Sequence, residues 1–193
     1  MPDDQSGGRP EDPGGNGNGP SIVVSVECDL WTTTLTDVED LARQVCAAAL
    51  GAGITFWEEV PDLNRIEVSV VLTDDETVRI LNRDYRGKDK PTNVLSFASL
   101  DDEDAPLPED GPILLGDIVI AYQTTAAEAA EEGKTFTHHL THLLVHGLLH
   151  LLGFDHEDES EAEEMEGMET AILAALGVPD PYQQPAKEHG VKE

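Results

Sequence analysis

The sequence predicts an α+β domain: a small mixed four-stranded sheet packed with about five helices. Three observations carry that expectation. Short β-branched runs recur at residues 22–26, 66–72, 94–97 and 118–121. Stretches of helical periodicity with recognisable start signals lie between and after them. The order, strands with interleaved helices first and a run of helices afterwards, is that of an α+β chain. With 193 residues and 39% hydrophobic content, the chain suits one domain with a real core.

The elements follow in order. Residues 1–20 hold six Gly and four Pro and almost nothing apolar, so a disordered tail is expected there. They lack the basic and apolar regions of a secretory leader, and no later run approaches the roughly 20 apolar residues of a membrane span. Ile22-Val23-Val24-Ser25-Val26 reads as a first strand. Thr36-Asp37-Val38-Glu39 has the pattern of a capping box, and the helix it opens runs to Gly51 with Val38, Leu41 and Val45 on one face. Ile66–Leu72 alternates and then turns fully apolar, a second strand. A second capping box, Thr73-Asp74-Asp75-Glu76, starts a helix carrying Val78, Leu81 and Tyr85. Val94–Phe97 and Ile118–Ala121 supply two more strands. Helices are expected from about Gln123, from Thr135 and from Ser160, the last with its own capping box and a stop at Gly177 before Pro179. The domain therefore spans 21–177, and 178–193 reads as a flexible tail. Cys28 and Cys46 make no disulfide framework and are expected to be buried, reduced residues of a cytoplasmic protein.

Net charge is −29, which repels nucleic acid at long range. The cations are nevertheless clustered. Arg79, Arg83, Arg86, Lys88 and Lys90 place five of the eleven basic residues within twelve positions. Ordinary helical ion pairs account for Arg79 and Arg83 as well as phosphate contact does. Arg86, Lys88 and Lys90 fall at a helix exit, where phosphate contact is the better explanation. The acidic run 157–169 reads as a solvated face.

The stretch around which the chain is organised is His146-Gly147-Leu148-Leu149-His150-Leu151-Leu152-Gly153-Phe154-Asp155-His156. Leu140, Leu144, Leu148 and Leu151 recur at helical spacing. His146 and His150 then lie one turn apart, close enough for two imidazoles to converge on one metal ion. Gly153 permits a left-handed turn that ends the helix, after which His156 can return as a third ligand. Three histidines leave a tetrahedral position open, as in a catalytic zinc site, and the absence of thiolate favours Zn2+. His142-His146-His150 is a rival set, weakened because a straight helix rises roughly 6 Å per step. Helical zinc proteases carry a general-base Glu after the first histidine. Here Gly147 stands there, which argues against a peptidase.

That run resembles the H-G-x-L-H-L-x-G-[FY]-D-H signature of the YbeY family of bacterial metallo-endoribonucleases, with every fixed position present. A second block, residues 82–97, is similar to the family's N-x-x-Y-R-x-K-D-x-P-T-D-V-L-S-F pattern, with Asn93 where Asp is usual and Ala98 following in place of a common Pro. Asn93 is expected to keep the turn through side-chain hydrogen bonds. Leu115-Gly116-Asp117-Ile118 matches a third block, L-G-D-I.

The resemblance implies zinc-dependent cleavage of single-stranded RNA, in maturation of the small-subunit ribosomal RNA 3′ end and in ribosome quality control. The small subunit and assembly factors are the implied partners. By the match at Tyr85-Arg86, Arg86 is expected to be functional, and its planar permanent charge suits a phosphate. Lys88, Lys90 and Arg83 are candidate RNA phosphate contacts. Asp155 and Asp117 are candidates for orienting a ligand histidine or a water, and the general base is unassigned. Two other readings stay open: a non-catalytic assembly factor stabilised by zinc, and a zinc hydrolase of another substrate class.

Overall fold

A computed structural model describes residues 19–100, 107–155 and 158–183. One sheet holds β1 (Ser21–Val26), β2 (Ile66–Thr73), β3 (Val94–Ala98) and β4 (Ile113–Ala121), in the order β1-β2-β4-β3. β1 and β4 run parallel to β2, and β3 runs antiparallel to β4. The expected mixed four-stranded sheet is therefore present.

Parallel neighbours need a crossover. α2 (Val38–Gly53) lies in the crossover from β1 to β2, and α3 (Asp75–Arg86) in the longer one from β2 to β4. α4 (Tyr122–Glu131), α5 (Phe136–Leu151) and α6 (Glu159–Ala175) follow the last strand. Side chains alternate across β4 and sort the helices onto two faces. Ile118 and Ile120 join Val70, Leu72 and the apolar residues of α2 and α5 in the main core. Val119 and Ala121 point the other way, to Leu95 of β3 and Val78 of α3. α6 packs on α5 and α2.

Two glycines bring elements closer than a side chain allows. Gly116 has φ +136°, and a Cβ there would lie 2.0 Å from the Phe97 carbonyl oxygen. The β3–β4 pairing thus requires glycine. At Gly147 a Cβ would meet Ile118 Cγ2 at 2.9 Å and Ser96 Oγ at 3.2 Å. Ser96 Oγ donates to the Gly147 carbonyl at 3.1 Å, so α5 is seated directly on β3 and β4.

Several local expectations shift. A short helix, α1 (Leu30–Thr34), was not anticipated. It buries Trp31 completely, and the indole Nε1 donates to the Thr73 carbonyl at 2.9 Å. Asp37, not Thr36, precedes α2 and makes no side-chain cap. Thr73 is the last residue of β2, and Asp74 caps α3 by accepting the Thr77 N–H at 2.9 Å. Asp158 forms the capping box of α6 with Glu161, two residues before the expected Ser160. In both helices an extended Asp immediately before the first turn takes the orphan N–H groups. Cys46 is buried, which pushes its thiol up to about 12, whereas Cys28 is only half-buried. Among the described residues no helix is long and apolar enough to cross a membrane.

Candidate metal centre

Thr135 caps α5 by accepting the His138 N–H at 3.1 Å. Leu140, Leu144, Leu148 and Leu151 are buried as the periodicity predicts. Gly153, at φ +93°, turns the chain after the helix. With the leucines fixing the helix's rotation, His146 and His150 fall together on a partly exposed edge.

Their Nε2 atoms lie 3.1 Å apart. Two ligands at about 2.05 Å from a tetrahedral zinc would be separated by about 3.3 Å, so the pair is spaced to share one ion. Behind it stands Glu169 of α6, which is fully buried. Its Oε1 is 2.7 Å from His146 Nδ1, and its Oε2 is 2.9 Å from His142 Nε2. Tyr182 Oη also donates to Oε2. Burial raises the carboxyl's pKa, but hydrogen bonds from His142, His146 and Tyr182 together outweigh it and hold the group at about 2. An ionised carboxylate only accepts, so His146 must carry its proton on Nδ1. In the neutral ring, Nε2 then keeps its lone pair toward the metal position. This is the carboxylate–histidine pairing that orients metal-binding imidazoles.

Glu169 was missed in the sequence, where 157–169 read as a solvated face. The signal was present: Met165, Glu169, Ile172 and Leu173 share the buried stripe of α6. A lone carboxylate in an apolar register needs partners, and the histidines of α5 supply them. His142, of the rival set, has its Nε2 2.9 Å from Glu169 Oε2, and among the described residues its buried Nδ1 meets no hydrogen-bond partner.

A second histidine–carboxylate pair lies alongside. His139 Nε2 is 2.9 Å from Glu128 Oε2, and Asn93 Nδ2 donates to the same oxygen at 2.9 Å. Asn93 Oδ1 also accepts the Val94 N–H at 2.7 Å, so the turn expected at that position is held by its side chain. Asn93, Glu128, His139, His142, His146 and Tyr182 line a cleft of about 580 Å³.

The structure does not gather every candidate. Asp117 lies in the middle of β4, not at its start, and is exposed on the α3 side with Val119. α5 packs on the opposite face of β4, where Gly147 meets Ile118. Asp155 is exposed beyond the Gly153 turn. His156 lies outside the described residues. Among the described residues, no group of three or more His, Cys, Asp or Glu is arranged to hold a metal. Arg79 pairs with Glu76 and Asp89, and Arg83 with Asp84. Arg86, Lys88 and Lys90 are exposed and make no ion pair among the described residues.

Fold and site define a class: a small α+β protein with a helix-borne histidine pair, braced by a buried carboxylate and open to a cleft. Comparison with known proteins gives the family. The family model described as Endoribonuclease YbeY matches residues 29–177. An Endoribonuclease YbeY of Paramagnetospirillum magneticum is 55% identical over 161 residues, 83% of this chain and 94% of that protein. One of Nitrobacter winogradskyi is 56% identical over 168 residues, 87% of this chain and 85% of the relative. A solution structure from Thermotoga maritima is 22% identical, covers 86% of this chain and 98% of that one, and has a TM-score of 0.41. The chain belongs to the YbeY endoribonuclease family.

Proposed function

We propose that this chain is a zinc-dependent endoribonuclease specific for single-stranded RNA. In this reading it matures the 3′ end of small-subunit ribosomal RNA and serves ribosome quality control in the cytoplasm, with the small subunit and assembly factors as partners. The observation that carries the chemistry is the 3.1 Å approach of the His146 and His150 Nε2 atoms, with His146 fixed by Glu169. His146 and His150 would hold the ion, with His156 as the third ligand. Bound there, zinc would polarise a phosphoryl oxygen and lower the pKa of a water toward about 7.

The chain's own residues do the rest. Glu169 keeps His146 in the tautomer whose Nε2 faces the metal position. Arg86, whose planar guanidinium makes no ion pair among the described residues, receives the charge that develops on the phosphate. Lys88 and Lys90 would contact flanking phosphates. Arg83 does so only by leaving Asp84. That Arg86, Lys88 and Lys90 make no ion pair among the described residues favours RNA over an uncharged small molecule as the substrate.

Cleavage of a single-stranded RNA at low salt tests this, with metal content recorded for wild type, His150→Ala and Arg86→Ala. His150→Ala should lose metal and activity together, whereas Arg86→Ala should keep metal and lose activity by at least about a hundredfold. Activity that persists unchanged in both variants would be contamination. The zinc-stabilised assembly factor, favoured by the −29 net charge, would then take its place.

A further inference from the structure

Three parts of the chain meet behind His146: α5, α6 and the segment that follows α6. Glu169 lies within the residues the family model matches, 29–177, and Tyr182 lies beyond them. The segment 178–183, expected to be part of a flexible tail, returns to the metal centre. Lys134 Nζ donates to the Pro181 carbonyl at 3.1 Å, which ties it to the start of α5. The Tyr182 ring meets His142 edge-on, with centroids 5.8 Å apart and planes at 83°. Its hydroxyl ends on Glu169.

The two oxygens of Glu169 divide the work. Oε2 takes both His142 Nε2 and the Tyr182 hydroxyl, and Oε1 takes His146 Nδ1. A glutamate terminus rotates broadly about its last torsion. Two donors on one oxygen fix that rotation and aim the other oxygen at His146. Packing alone does not require this arrangement. Met165, Ile172 and Leu173 line the same stripe, and an apolar residue there would avoid burying a carboxylate.

We propose that Tyr182 and His142 are positioning residues that set the His146 imidazole through Glu169, so that the segment after α6 forms part of the metal centre. This rests on the metal-centre reading above. Neither residue touches the metal position. Their effect is on the tautomer and orientation of His146, and through these on metal affinity.

The experiment compares the full-length chain with Tyr182→Phe, His142→Ala and His142→Gln. Zinc affinity is measured by competition with a chromophoric chelator. The His146 tautomer is read from long-range 1H–15N spectra of the metal-free protein under mildly alkaline conditions, and melting of the metal-free protein is followed alongside. Tyr182→Phe should bind zinc about tenfold more weakly and mix the two His146 tautomers, with little change in melting. His142→Ala should lose as much, and His142→Gln, which keeps a side-chain N–H donor, should recover most of it. Wild-type affinity and an unmixed tautomer in Tyr182→Phe would overturn the proposal. If His142→Ala unfolds, Tyr182→Phe, which removes only a hydroxyl, still decides. A wild type that binds no zinc but whose tautomer shifts in Tyr182→Phe would sink the metal reading and leave the positioning network standing.

Discussion

The side-chain amide of Asn93 donates to Glu128 Oε2 at 2.9 Å, and that oxygen also faces His139 Nε2 at 2.9 Å. The family block usually carries Asp at this position, and here the amide fits the neighbour. Asn93→Asp would set two carboxylates against each other and remove a donor. Stability should fall by about 1–2 kcal/mol at neutral pH and recover partly in mild acid, as read by urea unfolding across pH. A variant as stable as wild type at neutral pH would show that Glu128 had turned elsewhere.

Gly147 separates α5 from the sheet by less than a methyl group. In Gly147→Ala the new Cβ would press on Ile118 Cγ2, a branch that has little freedom to move. The helix gains about 1 kcal/mol of propensity, and overpacking costs about 1–3 kcal/mol. A net loss of about 1 kcal/mol is expected, visible as a lower Tm. The larger Gly147→Glu, which would mimic a zinc protease, should destabilise more and create no peptidase activity.

Asp74 holds the start of α3. The Thr77 backbone N–H, then its side chain, hold the Asp74 carboxyl below the usual aspartate range. A depressed folded-state pKa means the contribution is complete above the unfolded value and is lost as pH falls through the folded one. Asp74→Ala should cost about 1 kcal/mol at neutral pH. Asp74→Asn keeps an acceptor, so it should retain most of the cap while removing this group's share of the acid sensitivity. Chemical denaturation of both variants at neutral and acid pH checks the sign.

The two thiols differ in environment. Cys46 is buried in α2 with its thiol raised to about 12, and Cys28 is half-buried. A thiol reagent added to the native protein should label Cys28 first and Cys46 only after unfolding. Equal rates for both would contradict the packing of α2 against α5.

The helix that carries the histidine pair, the turn after it and the sheet were legible because their signals are local. His146 and His150 are fixed by helical spacing, Gly153 by the turn, and the sheet by four β-branched runs. Glu169 and Tyr182 were not legible, since Glu169 meets His146 from 23 residues away along the chain and Tyr182 touches only Glu169 and His142 of this group. Asp117 sits differently from its expected place for another reason. Its motif placed it at a strand start, but β4 begins at Ile113 and the alternation turns Asp117 to the far face. The caps of α3 and α6 sit one residue after the expected Thr73 and two before the expected Ser160, because Thr and Ser fitted the pattern while a nearby Asp in extended conformation took the bonds. α1 is five residues long, too short to show a period.

The division among the cations of α3 and its exit loop fixes how binding would respond to electrolyte. Arg79 and Arg83 already have carboxylate partners, so of these five cations Arg86, Lys88 and Lys90, which make no ion pair among the described residues, can displace condensed counterions from a strand without first breaking one. Each phosphate neutralised on single-stranded nucleic acid contributes a slope of about −0.7, so three give about −2 in log K against log salt. A slope near −3.5 would mean that both paired arginines had been recruited as well. The acids of α3 and its exit loop thus act as a ceiling on how many ions the protein can release.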